Sequence, residues 1–291
     1  MTSRPITAGP VILCADDYAM TAGVSRGILE LAELGRLSAT SALVTLERWS
    51  EDAKPVALIR DHIAVGLHID LTLGKPLGPM PSLAPEGRFP SLRQILIRAL
   101  TGRIDQDEIA AEVTRQLDRF EEATGFPPDH IDGHQHVHAL PAVRKGVLKA
   151  LTKRFPSGGP LVRDPADSIS AIRKRGLAVR KSIVINLLSS GFGSAVRTQG
   201  FATNDSFAGT SPFKEGQPYG DELEAAFAAG RRYHLVMCHP GHVDPELSSL
   251  DPVVARRAEE YTALAHARDL PAKLWHPRRA ADGPPVTWQR S

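Results

Sequence analysis

Short apolar runs alternate with amphipathic segments along most of the chain. The run VILCA at residues 11–15 and the run IAVGL at residues 63–67 contain no polar position, which is typical of strands buried on both faces. Residues 107–124 carry apolar side chains at helical spacing, and the sequence GFPP ends that helix. Further strands are predicted at residues 38–46, at 161–164 and in the run YHLVMC, and further helices after the first strand and at residues 49–60, 142–154, 168–190, 221–230 and 251–266.

Strands that alternate with helices predict βαβ units and a mostly parallel sheet. We predict the α/β class, with a distorted (β/α) barrel that forms a single catalytic domain over residues 1–270 and a loosely ordered tail at 271–291. A doubly wound open sheet is the alternative, although neither the dinucleotide-binding fingerprint nor a P-loop follows the first strand. Residues 72–102, rich in Pro and Gly, are predicted to be a long loop that is either a functional lid or disordered.

The composition narrows the class of partner. With 35 basic and 33 acidic residues among 291, the chain lacks the basic footprint of a nucleic-acid binder. No apolar run reaches the roughly 18 residues that span a bilayer, and the first ten residues lack the apolar segment of a secretory signal. Two cysteines do not make a disulfide framework. We therefore expect a cytoplasmic protein that binds neither nucleic acid nor membranes.

Metal-binding residue types follow several predicted strands. Asp16 and Asp17 follow the first strand, His68 follows the strand at residues 63–67, and His239 follows the last. The carboxyl ends of parallel strands meet at one rim, where active sites form in barrels and open sheets. Imidazole and carboxylate groups together suit a divalent cation that keeps an open position for water. A fourth strand leads into the segment DGHQHVH, which adds Asp132, His134, His136 and His138.

The adjacent carboxylates of Asp16 and Asp17 need an explanation, because an extended chain points neighbouring side chains in opposite directions. A bend at the strand end would aim both inward. One could then bind a metal ion while the other acts as a base on water. The cation would remove most of the repulsion that otherwise raises the pKa of one carboxyl of such a pair.

Four motifs, ADDYAMTAGVSRGILE, GLHIDLTLGKPL, HIDGHQHVH and MCHPGHVD, resemble the YdjC-like, or ChbG-type, carbohydrate deacetylases. They occur in the family's order and span residues 15–244. The family's commonest opening is A-D-D-F-G, where this chain has Tyr18 and Ala19. The resemblance implies a distorted (β/α) barrel related to polysaccharide deacetylases. It also implies a metal-dependent hydrolase that removes the acetyl group from an N-acetylated sugar or short oligosaccharide.

The resemblance implies roles for five residues. Asp17, His68 and His134 would bind one divalent metal ion, Zn²⁺ or Mg²⁺. Asp16 would be the general base that takes a proton from the attacking water. His239 would be the general acid or a substrate contact.

For other polar residues near these motifs, two interpretations remain open. His136 is predicted to line the substrate pocket or anchor its loop, and it is a second candidate for the general acid. Asn204 and Asp205 are predicted to contact sugar hydroxyls, with a plain Asx-turn as the equal alternative. Asp132 is predicted to orient a histidine ligand or to bond to backbone, and Asp70 is a weaker alternative to Asp17 as a ligand.

Two other functions remain open at this point. A metal-dependent phosphoesterase or amidohydrolase could use a similar His/Asp barrel, although amidohydrolases usually carry H-x-H at the end of the first strand. A non-catalytic sugar-binding module would have a metal site closed by protein ligands, whereas three ligands beside a free carboxylate favour an enzyme. A homodimer is a further expectation, drawn weakly from the family likeness.

Overall fold

Strands and helices alternate in the computed structural model, which describes residues 10–212, 218–251 and 254–277. The strands are β1 (Ile12–Tyr18), β2 (Ala39–Ala42), β3 (Ala64–Ile69), β4 (His130–Gly133), β5 (Leu161–Val162), β6 (Ser206–Ala208) and β7 (His234–Cys238). The helices are α1 (Ala22–Glu33), α2 (Trp49–Leu58), α3 (Leu92–Leu100), α4 (Gln106–Thr124), α5 (Val143–Arg154), α6 (Ile169–Arg175), α7 (Val179–Leu188), α8 (Phe192–Thr198), α9 (Tyr219–Phe227), α10 (Leu247–Leu250) and α11 (Val254–His266). Two 3₁₀ turns lie at His134–Ala139 and Pro271–Lys273.

The seven strands form one parallel sheet in the order β5-β4-β3-β2-β1-β7-β6. The sheet curls until its two edges approach each other, because the segment before β6 bonds to β5. The Val162 N–H donates to the Ala202 carbonyl at 2.9 Å. The Asn204 amide accepts from the Asp164 N–H and donates to the Asp164 carbonyl, both at 2.8 Å. The prediction of a distorted (β/α) barrel is thus confirmed, and the open doubly wound sheet is excluded.

The interior of the barrel changes from apolar to polar towards the carboxyl ends of the strands. Its apolar part is a small cluster, separate from the larger core between sheet and helices. Side chains alternate along a strand, so the next inward positions along β1, β5 and β7 are Asp16, Arg163 and His239. Polar groups therefore gather above an apolar floor. The floor consists of Ile12, Cys14, Ala39, Ala64, Leu161, Phe207, Leu235 and Met237.

Four features of the secondary structure differ from the predictions. The expected loop at residues 72–102 contains α3, which begins at a capping box between Ser91 and Gln94. The expected helix at residues 168–190 is divided into α6 and α7, because Gly176 ends α6 in a left-handed conformation with φ 71°. Strand β6 and helix α8 were not predicted.

The predicted domain boundary at residue 270 falls just before a short segment that contacts the sheet. Leu274 pairs with Val11 in an isolated parallel bridge, and the Trp275 N–H donates to the Val11 carbonyl at 2.8 Å. Residues 278–291 of the predicted tail lie outside the described residues. Among the described helices, none combines the length and the apolar character that crossing a membrane requires.

Candidate metal centre and active-site cavity

The two carboxylates at the end of β1 both face the interior because the strand is irregular there. Its register with β2 shifts between Ala15 and Tyr18, and Asp17 has φ 69°. Asp16 and Asp17 are buried and line the same cavity. Ala19 also has φ 68°, a left-handed conformation that costs a residue other than glycine about 1–2 kcal/mol. The predicted bend is therefore present, and it turns the chain through a conformation for which glycine is better suited than Ala19.

Asp17 meets two histidines from other strands. Its Oδ1 atom lies 2.8 Å from Nδ1 of His134 and 3.3 Å from Nε2 of His68. One ligand atom from each of the three residues lies within 4.8 Å of the others. The residues predicted as metal ligands thus converge on one point, although they come from β1, β3 and the turn after β4.

A second carboxylate orients His68. Nδ1 of His68 donates to Oδ1 of Asp132 at 2.6 Å, which turns Nε2 towards Asp17. A carboxylate bonded to the far nitrogen of a metal-binding histidine is a common arrangement that fixes its ring. Burial lowers the pKa of His68, but the carboxylates of Asp132, Asp17 and Asp16 together outweigh burial and raise that pKa to about 10. Asp132 is therefore a positioning residue for His68, and the site strongly favours positive charge.

Arg163 holds two of the carboxylates and was not predicted as a site residue. Its guanidinium donates to both oxygens of Asp16 at 2.6 and 2.7 Å and pairs with Asp132 at 2.5 Å. Its side chain is fully buried. Burial lowers the pKa of Arg163, but the two carboxylates outweigh burial and raise it well above its usual value. Arg163 thereby fixes the orientation of Asp16. Oδ1 of Asp16 also accepts from the Ser41 hydroxyl at 3.3 Å, so Oδ2 is the oxygen that keeps a further lone pair for water.

A second arginine, Arg257 of α11, reaches the other oxygen of Asp17. Nη2 of Arg257 lies 2.6 Å from Asp17 Oδ2, and its Nε lies 2.5 Å from Asp251. Burial would raise the pKa of Asp17, but the charges of His134 and Arg257 hold it well below its usual range. Asp17 therefore offers Oδ1 to a metal ion while Arg257 occupies Oδ2.

The histidines after β4 do not continue in extended chain. Gln135 and His136 have φ 53° and 60°, left-handed conformations that kink the chain within the 3₁₀ segment. Nε2 of His138 donates to the Arg163 carbonyl at 2.8 Å and anchors the turn. His136 lines the cavity and contacts Phe207 edge-on, with ring centroids 5.5 Å apart.

His239 follows β7 and also lines the cavity. Its backbone N–H donates to Glu260 of α11. Burial lowers the pKa of His239 and of His136, so both rings are mainly neutral near pH 7. Burial raises the pKa of Glu260, which lines the same cavity, to about 7.

Two predicted substrate contacts lie elsewhere. Asn204 is buried, and its side chain joins the edges of the sheet, as described above. Asp205 is exposed and accepts from the Tyr233 N–H at 3.3 Å. Neither residue lines the cavity. The Asn204 side chain joins the segment before β6 to the backbone after β5, whereas Asp205 bonds to the backbone just before β7.

The cavity has a volume of about 440 Å³, and residues of α3, α7 and α11 line it. Asp17, His68 and His134 all line it. Two other clusters of suitable residues exist among the described residues: Cys14 with His130 and Asp132, and Asp16 with His68 and Asp132. Each of these includes Asp132, which does not line the cavity and is already bound to Arg163.

The donor set of Asp17, His68 and His134 fits a divalent metal ion. Two imidazoles and one carboxylate provide three ligands, the number that catalytic zinc sites use when water occupies the fourth position. A cavity next to these ligands gives access to water and substrate. These residues can therefore hold a catalytic metal ion.

Known proteins are similar to this chain over most of its length. The family model of YdjC-like proteins matches residues 10–269. A chitooligosaccharide deacetylase of Proteus mirabilis (strain HI4320) is 32% identical over 246 residues, which cover 81% of this chain and 83% of the relative. A carbohydrate deacetylase of Geobacillus stearothermophilus is 30% identical over 256 residues, with 87% and 88% covered.

A solved structure shares the fold. A protein of Enterococcus faecalis V583, to which cellobiose-phosphate cleavage has been attributed, superposes with a TM-score of 0.69 and 21% identity, covering 92% of this chain and 97% of that one. The resemblance seen in the four sequence motifs is thus confirmed. This chain belongs to the YdjC-like family.

Proposed function

We propose that the protein is a metal-dependent carbohydrate deacetylase that hydrolyses the acetamide of an N-acetylated sugar. The observation that carries this proposal is the convergence of Asp17, His68 and His134 beside Asp16 at the inner end of the cavity. The deacetylases among its relatives support the same reaction. The products are acetate and an amino sugar.

The donor set favours Zn²⁺ over Mg²⁺. Magnesium prefers oxygen ligands in an octahedral arrangement, whereas imidazole suits zinc. Two of the three proposed ligands, His68 and His134, are imidazoles. A divalent ion held there supplies Lewis acidity, which polarises a carbonyl oxygen and lowers the pKa of water towards about 7.

Asp16 is the proposed general base. One of its oxygens lies within 4.8 Å of a ring nitrogen of His68, so the carboxylate reaches the space next to the proposed metal ligands. Arg163 fixes both oxygens of Asp16, so the carboxylate can accept the proton of the attacking water without rotation of its side chain. Such positioning lowers the barrier because the base does not have to reorient during proton transfer.

The leaving nitrogen needs a proton, because an amide anion is too basic to depart. His239 and His136 line the cavity and are the proposed sources. Both rings are mainly neutral near pH 7, since burial lowers their pKa. Each can therefore receive the proton that Asp16 removes from water, directly or through solvent, and pass it to nitrogen.

Acetate release tests the proposed function. We expect the purified protein to release acetate from N,N′-diacetylchitobiose or from simple glycosides of N-acetylglucosamine. Chelation should reduce this activity at least 100-fold, because the Lewis acid is lost, and Zn²⁺ should restore it. Acetate is measured by an enzyme-coupled assay.

The matched arm uses phosphate monoesters of the same sugars. Release of phosphate without acetate would contradict the proposal and favour the phosphoesterase alternative. Binding of the sugars without release of either product would favour a sugar-binding module. A homodimer and a cytoplasmic location stay predictions.

A further inference from the structure

The outer half of the cavity is aliphatic. Partly exposed residues of α3 and α7 line it there. Among the described residues, no Phe, Tyr or Trp side chain lines the cavity. The aliphatic lining from these helices consists of Leu92 and Leu96 of α3 and Val184, Ile185 and Leu188 of α7, and Lys181 and Ser189 are the polar residues that line the cavity beside them.

Helix α7 is rich in apolar residues, yet it does not bury them. None of its ten residues, all of which the structure describes, is buried. Val184 is 55% exposed and Leu187 is 73% exposed. On α3, Ile97 and Leu100 are 49% and 67% exposed. Apolar side chains thus continue from the cavity wall to the rim on both helices.

The position of this surface relative to the proposed metal ligands indicates which part of a substrate would contact it. A substrate whose acetamide reaches the buried Asp16 and Asp17 must extend towards the more exposed residues of α3 and α7 that line the same cavity. Aliphatic side chains offer no hydrogen bond to sugar hydroxyls, and burying unpaired hydroxyls there would cost free energy. They favour contact with an apolar group. A second sugar ring is therefore a poor match for the outer half.

We propose that the preferred substrate is an N-acetylated amino sugar that carries an apolar aglycone, and that the aglycone lies between α3 and α7. This inference rests on the proposed deacetylase function. It assigns Val184 and Ile185 to substrate specificity. An alkyl or lipid chain on the glycosidic oxygen is the chemical class that these walls recognise.

The experiment compares methyl, butyl and hexyl glycosides of N-acetylglucosamine, each below its micelle concentration. A buried methylene contributes about fourfold, the factor that corresponds to about 0.8 kcal/mol. For a partly exposed chain we expect kcat/KM for the hexyl glycoside to exceed that for the methyl glycoside at least 30-fold. N,N′-Diacetylchitobiose should have a lower kcat/KM than the hexyl glycoside.

Variants of the wall test the assignment. Val184→Asn and Ile185→Asn should lower the hexyl-to-methyl ratio of kcat/KM at least fivefold, because each places an amide against the alkyl chain. Neither side chain is buried, so both variants are expected to fold, which circular dichroism checks. Leu58→Asn is the matched control: Leu58 is 82% exposed on α2, outside the cavity, and its variant should leave the ratio unchanged.

Four outcomes would overturn the inference while leaving the deacetylase function intact. Two of them are equal kcat/KM along the alkyl series and a higher kcat/KM for diacetylchitobiose than for the hexyl glycoside. The third is a gain in kcat/KM with N-butanoylglucosamine that the alkyl glycosides do not give. The fourth is a dimer of this protein that Val184→Asn dissociates without changing the preference for alkyl glycosides. If metal-loaded protein releases acetate from none of these sugars, the proposed function itself fails.

Discussion

Replacing Asp16 with asparagine is expected to lower kcat for acetate release about 1000-fold without loss of the bound metal ion. General-base catalysis contributes about 10²–10⁴-fold, and asparagine cannot accept the proton. The amide retains the shape of the carboxylate and one acceptor oxygen for Arg163, which still pairs with Asp132. The measurement combines acetate release under saturating substrate with metal content by elemental analysis.

Asp205→Asn is the matched control for this prediction, because Asp205 is exposed and lies outside the cavity. It should retain the activity of the wild type. A loss of less than tenfold for Asp16→Asn would show that another group removes the proton. Loss of the metal ion from that variant would instead make Asp16 a ligand.

Replacing Arg163 with methionine is expected to lower the free energy of unfolding by about 3–5 kcal/mol, the cost of removing one partner from a buried ion pair. The side chain is fully buried and is bound to both Asp16 and Asp132. Without it, two carboxylates lie near each other in the interior with no guanidinium to balance them. Urea denaturation of both proteins at pH 7 measures the difference.

Arg154→Met provides the comparison. Arg154 also pairs with two carboxylates, Asp118 and Glu121, but all three side chains are partly exposed. Exposed ion pairs contribute about 0–1 kcal/mol, so this variant should lose no more than that. Equal losses for Arg154→Met and Arg163→Met would mean that the buried network does not stabilise the fold.

Alternation along the strands explains why much of the site could be predicted from sequence. Asp16 follows Cys14 at the inward spacing of β1, and His68 lies near the end of β3. The same rule applied to the run LVRD would have identified Arg163, two positions after Leu161. The capping box of Ser91 and Gln94 would likewise have indicated α3 within the Pro-rich segment.

Other features of the site could not be predicted from the local sequence. Alternation alone would direct Asp17 away from the interior, and only the bulge with φ 69° turns it inward. Gln135 and His136 adopt left-handed conformations, which their residue types do not predict. Arg257 reaches Asp17 from a helix 240 positions later in the chain, so only the tertiary fold brings them together.

A crystal structure of the protein grown with Zn²⁺, with anomalous diffraction recorded at the zinc edge, tests the central claim most directly. The account predicts one strong anomalous peak between Asp17 Oδ1, His68 and His134, at distances of about 2.0–2.2 Å from the ligand atoms, with an open position towards the cavity. No peak at this position, or a peak between Cys14, His130 and Asp132 in its place, would contradict it.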